Sequence, residues 1–246
     1  MRSFFSCIAC NRVRWSCFHF ALGLCLCFLT ACHREPSIET VVQETLSLAE
    51  GRELSITFYR SAENRSPAIL LLPGQKRSAA VWEAFARRLQ QEGYALLVVD
   101  DRELSGRSVE EAFLHIDAAR DRLLQENVHP LNLAVAGEGS AAGLALLYAA
   151  RRPDMQATIL LSPGLVHQEE SLEACMAALK DCPSFVAASE GERYAAQAAR
   201  VLKKAAPVYA ELRLWPGTAH GTDLFAAHPE AAMQIYQWLK PILNAP

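Results

Sequence analysis

The chain has 246 residues, with 24 basic and 27 acidic side chains and a net charge of −3 when histidine is neutral. That length suits one domain with a sizeable core once a leader is removed. The acidic balance, with no basic cluster beyond "RVLKK" at Arg200 to Lys204, speaks against nucleic-acid binding. No Cys, His and Asp set stands at metal-ligand spacing, and the glycine-rich stretch "GEGSAAG" lacks the lysine of a phosphate loop. No metal and no cofactor are expected.

The first 31 residues read as a leader. Arg2, Arg12 and Arg14 precede the apolar run "ALGLCLCFLTA", and no acidic residue occurs before Cys32. The run is too short to span a bilayer, which needs about 20 apolar residues. Its exit, "LTAC" at Leu29 to Cys32, resembles the lipobox of bacterial lipoproteins. The resemblance implies cleavage before Cys32, lipidation of its thiol, and an exported domain held at a membrane of the cell envelope by acyl chains such as palmitate, through roughly 0.8 kcal/mol per buried CH₂. The mature chain would then have 215 residues, with 21 basic against 27 acidic side chains. Residues 32–38 form a short tether and 39–246 the folded domain. Six of the eight cysteines lie at or before Cys32, leaving Cys175 and Cys182. An exported protein permits them to pair. On one continuous helix they would stand about 10 Å apart, so a bridge requires the helix to end near Lys180, before Pro183.

Beyond the tether, "TVVQETLSLAEGRELSITFYR" reads as a hairpin around Glu50-Gly51-Arg52. "PAILLLPG" is a buried strand, "SAAVWEAFARRLQQEG" a helix with Val81, Trp82, Phe85 and Leu89 on one face, and "YALLVVD" the next strand. A helix starts at Ser108, where "SVEE" offers a capping box to Glu111. "LNLAVAG" is a strand and "SAAGLALLYAARR" a helix stopped by Pro153. "QATILLSPG" precedes a helix over Gln168 to Leu179. "PSFVAAS", "RYAAQAARVLKKA", "YAELRLW" and "PEAAMQIYQWLK" complete the alternation, with Pro229 in the first turn of the last helix. Continuous apolar strands separated by helices define an α/β fold with a mostly parallel sheet covered on both faces.

In such sheets ligands bind where the strands' carboxyl ends gather. Three loops there hold reactive side chains: "GEGSAAG" with Ser140, "EGERY" with Glu190 and Glu192, and "PGTAHGTD" with His220 and Asp223. The order nucleophile, acid, histidine is that of the α/β-hydrolase fold. His115, His129 and His167 read as surface or helix-flank residues.

From about Val41 to Leu239 the chain resembles the dienelactone-hydrolase-like branch of the α/β-hydrolases. "GEGSAAGLAL" and "PGTAHGTDLF" are similar to that branch's elbow and histidine loop without a gap, and "LLPGQKRSAAVW" stands at its oxyanion loop. The resemblance implies Glu192 as the acid, with Glu190 as a fallback, and His220 as the base. It also implies oxyanion donors from Ser140 N–H and one of Gly74, Gln75 and Lys76, with Asp223 bracing the histidine loop. The elbow departs from the family, because the gap-free register puts Gly139 at the nucleophile position and Ser140 after it. The positions two before and two after a nucleophile must be small, which suits Gly137 and Ala141 better than Glu138 and Ala142. The strained nucleophile conformation also costs glycine little. Three readings follow. The first is a catalytically impaired, membrane-anchored hydrolase fold. The second is an active serine hydrolase on small carboxylic esters through Ser140, His220 and Glu192. The third is a binding module for a small carboxylate or an envelope partner.

Overall fold

The computed structural model describes residues 40–102 and 104–243. The leader expected over residues 1–31, the tether expected over 32–38 and the lipidation expected at Cys32 lie outside the described residues. The described chain falls within one compact unit, Glu39–Pro246.

An antiparallel hairpin opens the domain: β1 (Val41–Ser47) and β2 (Glu53–Tyr59) pair from Val41 with Tyr59 to Ser47 with Glu53. A single 3-10 turn joins them, with Gly51 at φ +72, a conformation few other residues accept. Next come β3 (Ser66–Leu72), α1 (Glu83–Gln91), β4 (Ala95–Val99), α2 (Val109–Leu124), β5 (Val128–Glu138), α3 (Ser140–Arg151) and β6 (Met155–Leu161). A two-residue ribbon, β7 (Val166–His167) with β8 (Glu170–Ser171), precedes α4 (Leu172–Ala177). The chain ends with β9 (Ser184–Ser189), α5 (Arg193–Ala205), β10 (Ala210–Trp215), α6 (Leu224–Ala227) and α7 (Ala231–Leu243). The eight-stranded sheet has the order β1-β2-β4-β3-β5-β6-β9-β10. The pairs β1/β2 and β2/β4 are antiparallel, and every other pair is parallel.

Side chains of each central strand alternate between two apolar layers, as the pleat dictates. Ala68, Leu70 and Leu72 of β3 belong to the apolar layer formed with α2, α3, α4 and α5, whereas Ile69 and Leu71 belong to the layer formed with α1 and α7. Each such leucine or isoleucine contributes about 1.5–3 kcal/mol on burial. The parallel strands all deliver their carboxyl ends to one edge of the sheet.

Several local expectations are corrected. The helix expected over Gln168 to Leu179 is only α4, because Gln168 takes a positive φ of +53 and Ser171 caps the helix start by accepting from Ala174 N. The last helix begins at Ala231, so Pro229 lies just before it, and Pro241 lies inside it. Cys175 and Cys182 are not bonded: both are free thiols, and burial pushes them up to about 11 and about 12, where they are poor nucleophiles. His115 and His167 are buried rather than on the surface, being 2% and 4% exposed.

Candidate active site

β5 ends in Glu138 and turns sharply through Gly139 into α3. Gly139 has φ +56 and ψ −123, and its N–H donates to Leu161 O at 2.9 Å. The turn is so tight that a Cβ on Gly137 would lie 2.2 Å from Ala141 O. A Cβ on Gly139 would fall 2.9 Å from His220 Nε2 and 3.5 Å from its Cε1, closer than side chains ordinarily pack. The chain therefore turns sharply from β5 into α3 at Gly139, a residue with no side chain, beside His220.

Ser140 faces elsewhere. Its Oγ donates to Ser105 Oγ at 2.9 Å, in the 3-10 turn Leu104–Gly106. Among the described residues no hydrogen bond joins Ser140 to His220. Ser140 O also accepts from His167 Nδ1 at 3.1 Å, which ties β7 beneath the start of α3.

The acid and the base do meet. His220 Nδ1 donates to Glu192 Oε1 at 2.5 Å, and Glu192 Oε2 accepts from Ser162 Oγ at 2.6 Å. Ser162 in turn accepts from Gly221 N at 2.9 Å. A carboxylate with both oxygens occupied holds the imidazole in one tautomer, with Nε2 turned to the elbow. Glu190 is exposed and takes no part. Ser162, at the end of β6 with φ +48, was not foreseen; its signal in the sequence is "SPG" at a strand's carboxyl end. The acid and histidine loops touch backbone to backbone, Gly191 N donating to Gly217 O at 2.8 Å.

Glu138 is the other group that sequence reasoning missed. It is fully buried, and its carboxylate joins two loops. Oε1 accepts from Gly74 N at 3.1 Å, and Oε2 accepts from Thr222 N at 2.8 Å and Thr222 Oγ1 at 2.9 Å. Arg77 Nε lies 3.1 Å from Oε1, an ion-pair contact whose angle falls short of a hydrogen bond. Arg77 continues to Asp223, Nη2 to Oδ1 at 2.7 Å, so Asp223 does brace the histidine loop. The hydrogen bond and charge of Arg77 hold the Asp223 carboxyl below its ordinary range. Phe225, just beyond, stacks on Phe85 at 4.9 Å and pins this loop to α1.

The oxyanion expectation changes accordingly. Gly74 N–H is spent on Glu138, and Lys76 N–H on Arg102 O at 2.9 Å. A cleft of about 480 Å³ opens at the elbow, and neither Gly74 nor Gln75 is in its walls. It is lined by Gly139, Ser140, Ser162, Glu192, Arg193 and His220, with an apolar side from Pro163, Val166, Leu172 and Tyr194. Ser140 N–H lies in the first turn of the twelve-residue α3, whose residues line the cleft. Among the described residues no group of three His, Cys, Asp or Glu side chains could hold a metal ion.

No family model matches the chain, and no curated protein matches it. Solved structures do. Dienelactone hydrolase from Anabaena variabilis is 16% identical, with a TM-score of 0.64 over 83% of this chain and 98% of that one. Est1E from Butyrivibrio proteoclasticus is 15% identical, with a TM-score of 0.67 over 80% and 98%. The alpha/beta hydrolase GrgF from a Penicillium species is 12% identical, with a TM-score of 0.71 over 83% and 99%. At such identities the likeness establishes the fold: this chain has the α/β-hydrolase fold.

Proposed function

We propose that the protein is an α/β-hydrolase-fold lipoprotein of the bacterial envelope, anchored through Cys32, that has lost acyl-enzyme chemistry and uses its cleft to bind a small carboxylate. The observation that carries this reading is the bare apex at Gly139: the Glu192–His220 pair is aimed at a position with no hydroxyl. A serine hydrolase working through Ser140 would need that side chain to leave Ser105 and Glu138 to leave its buried bonds, and we set it aside. Carboxylate binding is favoured by Ser140 N–H at the positive end of α3 and by Arg193, which lines the cleft and has no ion-pair partner among the described residues.

Intact-mass measurement after exposure to a fluorophosphonate probe tests the lost chemistry. The folded protein is expected to remain unlabelled, and a single adduct absent from Ser140→Ala would overturn the reading. Acetate, propionate and benzoate are expected to raise the melting temperature, less so in Arg193→Ala. For the anchor, Cys32→Ser is expected to move the protein out of the membrane fraction; retention there would sink that part alone.

A further inference from the structure

We propose that a second hollow, outside the cleft, binds a neutral polyol such as a sugar ring. It lies on one face of the β1/β2 hairpin beside the start of α1, has a volume of about 340 Å³, and shares no residue with the cleft. That size is at the lower end for small-molecule sites. The inference does not depend on how the cleft is read.

Strand register builds its floor. Thr57 and Tyr59 alternate with Phe58 on β2 and so share a face, and their direct partners on β1 are Gln43 and Val41. Asp100, just after β4, and Ser78, just before the 3-10 turn Ala79–Trp82, complete the polar lining. The same face continues through the cross-strand pair Thr45 and Ser55, which with Gln43, Thr57 and Asp100 line an adjoining hollow of about 230 Å³. Thr57 and Tyr59 are buried, at 7% and 3% exposure, yet neither hydroxyl has a hydrogen-bond partner among the described residues. Neither is sealed in the core, as Thr158 Oγ1 and Tyr94 Oη are. Each therefore opens onto the groove that its residue lines. A desolvated hydroxyl without a partner costs free energy, and a ligand that brings hydrogen bonds to both recovers it.

The lining selects that ligand by charge. The one guanidinium in the larger hollow, Arg87, is paired with Glu83 at 2.8 Å and lies over the Tyr59 ring, 6.0 Å from its centroid. No unpaired cation is left there for a carboxylate or a phosphate. The ring face of Tyr59 is already occupied, so no aromatic seat is left for an organic cation. Apolar lining is limited to Val41, Ala79 and Ala80, which gives a large hydrophobe little to bury against. Asp100 accepts from Ala79 N at 3.0 Å through Oδ1 and keeps Oδ2 as a further acceptor. What remains is hydroxyls, an amide and a carboxylate oxygen. Each exchanges hydrogen bonds with a hydroxyl group, which both donates and accepts. A molecule of adjacent hydroxyls is the complement of that set.

The test titrates the full-length, isotope-labelled protein in detergent micelles with D-glucose, D-galactose and glycerol, and separately with ethylammonium and acetate, followed by NMR. Saturable shifts of the Gln43, Thr57, Tyr59 and Asp100 amides are expected with at least one polyol and with neither ion. Tyr59→Phe and Thr57→Val are each expected to raise the polyol's Kd about fivefold, the worth of one hydrogen bond. Neither is expected to lower the melting temperature, because the hydroxyl each removes has no partner in the protein. A lower melting temperature with Kd unchanged would assign the two hydroxyls to the fold and overturn the inference. Saturation by ethylammonium or acetate in place of the polyols would overturn it too. So would the absence of any saturable shift, which would leave water as the groove's only occupant. The unmodified chain decides these last outcomes even where a variant fails to fold.

Discussion

The turn after β5 and the histidine loop are packed to the same tolerance, yet the first has glycine, Gly139, where it faces the second loop's His220. At the histidine loop, a Cβ on Gly221 would fall 2.3 Å from Glu138 Oε2, so glycine there lets the buried carboxylate close on Thr222. At the elbow, Gly137 is forced by Ala141 O in the same way. Both turns are therefore held by backbone packing and by Glu138, none of which depends on a hydroxyl at residue 139. The difference shows that the scaffold of such a site and its chemistry are separately encoded. Packing fixes where a nucleophile would stand, and one side chain decides whether it is there.

The comparison breaks most visibly at Glu138. Glu138→Ala leaves Gly74 N, Thr222 N and Arg77 facing an empty buried pocket, and removing one partner of a buried pair costs about 3–5 kcal/mol. Urea denaturation is expected to show that loss, and His220 exchange broadening by NMR is expected to show the loop released. A loss below about 1 kcal/mol, the net worth of one ordinary hydrogen bond, would mean that Glu138 does not join the loops. Gly137→Ala tests the elbow's half. Its methyl meets backbone that cannot turn aside, so a cost of about 3 kcal/mol is expected, the upper range for overpacking.

Much of this was legible in the sequence, for physical reasons that differ by residue. Uninterrupted apolar strands and helical periodicity specify an α/β layer structure because the pattern and the layers are the same fact. The turn itself was legible because bulk is forbidden beside it, and the backbone does turn at Gly139, with φ +56. Glu192 and His220 were found by chain order, and they meet. Glu138 and Ser162 were not found, since a buried carboxylate and a strained serine at strand ends look like ordinary loop residues until the distant partners Thr222 and Gly221 arrive. Gly74 was assigned to the wrong task for the same reason: its N–H is claimed by a residue 64 positions away. The short α4 was misjudged because Gln168 adopts a conformation that side chains seldom reveal.

The histidines away from the cleft sharpen the comparison at lower energy. Burial lowers both His115 and His167 from the ordinary 6.5, and among the described residues Nε2 of each is buried without a hydrogen-bond partner. The unfolded chain then binds protons first. Stability is fully present above about pH 6.5 and is lost as pH falls toward the folded values. Because His167 holds Ser140 O under the elbow, His167→Gln is expected to flatten part of that acid slope between pH 6.5 and 5 in denaturation curves. An unchanged slope would mean that His167 is not protonated on unfolding.

The smallest effect is expected at Ser140, and it discriminates most directly between the two serine registers. Its Oγ has one partner, Ser105 Oγ, which is buried at 7% exposure. Ser140→Ala leaves that hydroxyl unpaired and is expected to cost about 1 kcal/mol. Ser105→Ala is expected to cost a similar amount, and the double variant little more than either, because removing both hydroxyls leaves nothing unsatisfied. Strict additivity across the pair would mean that the two hydroxyls do not meet in solution, and Ser140 would then be free to turn toward His220. Coupling of the expected sign keeps its hydroxyl on Ser105 and away from His220.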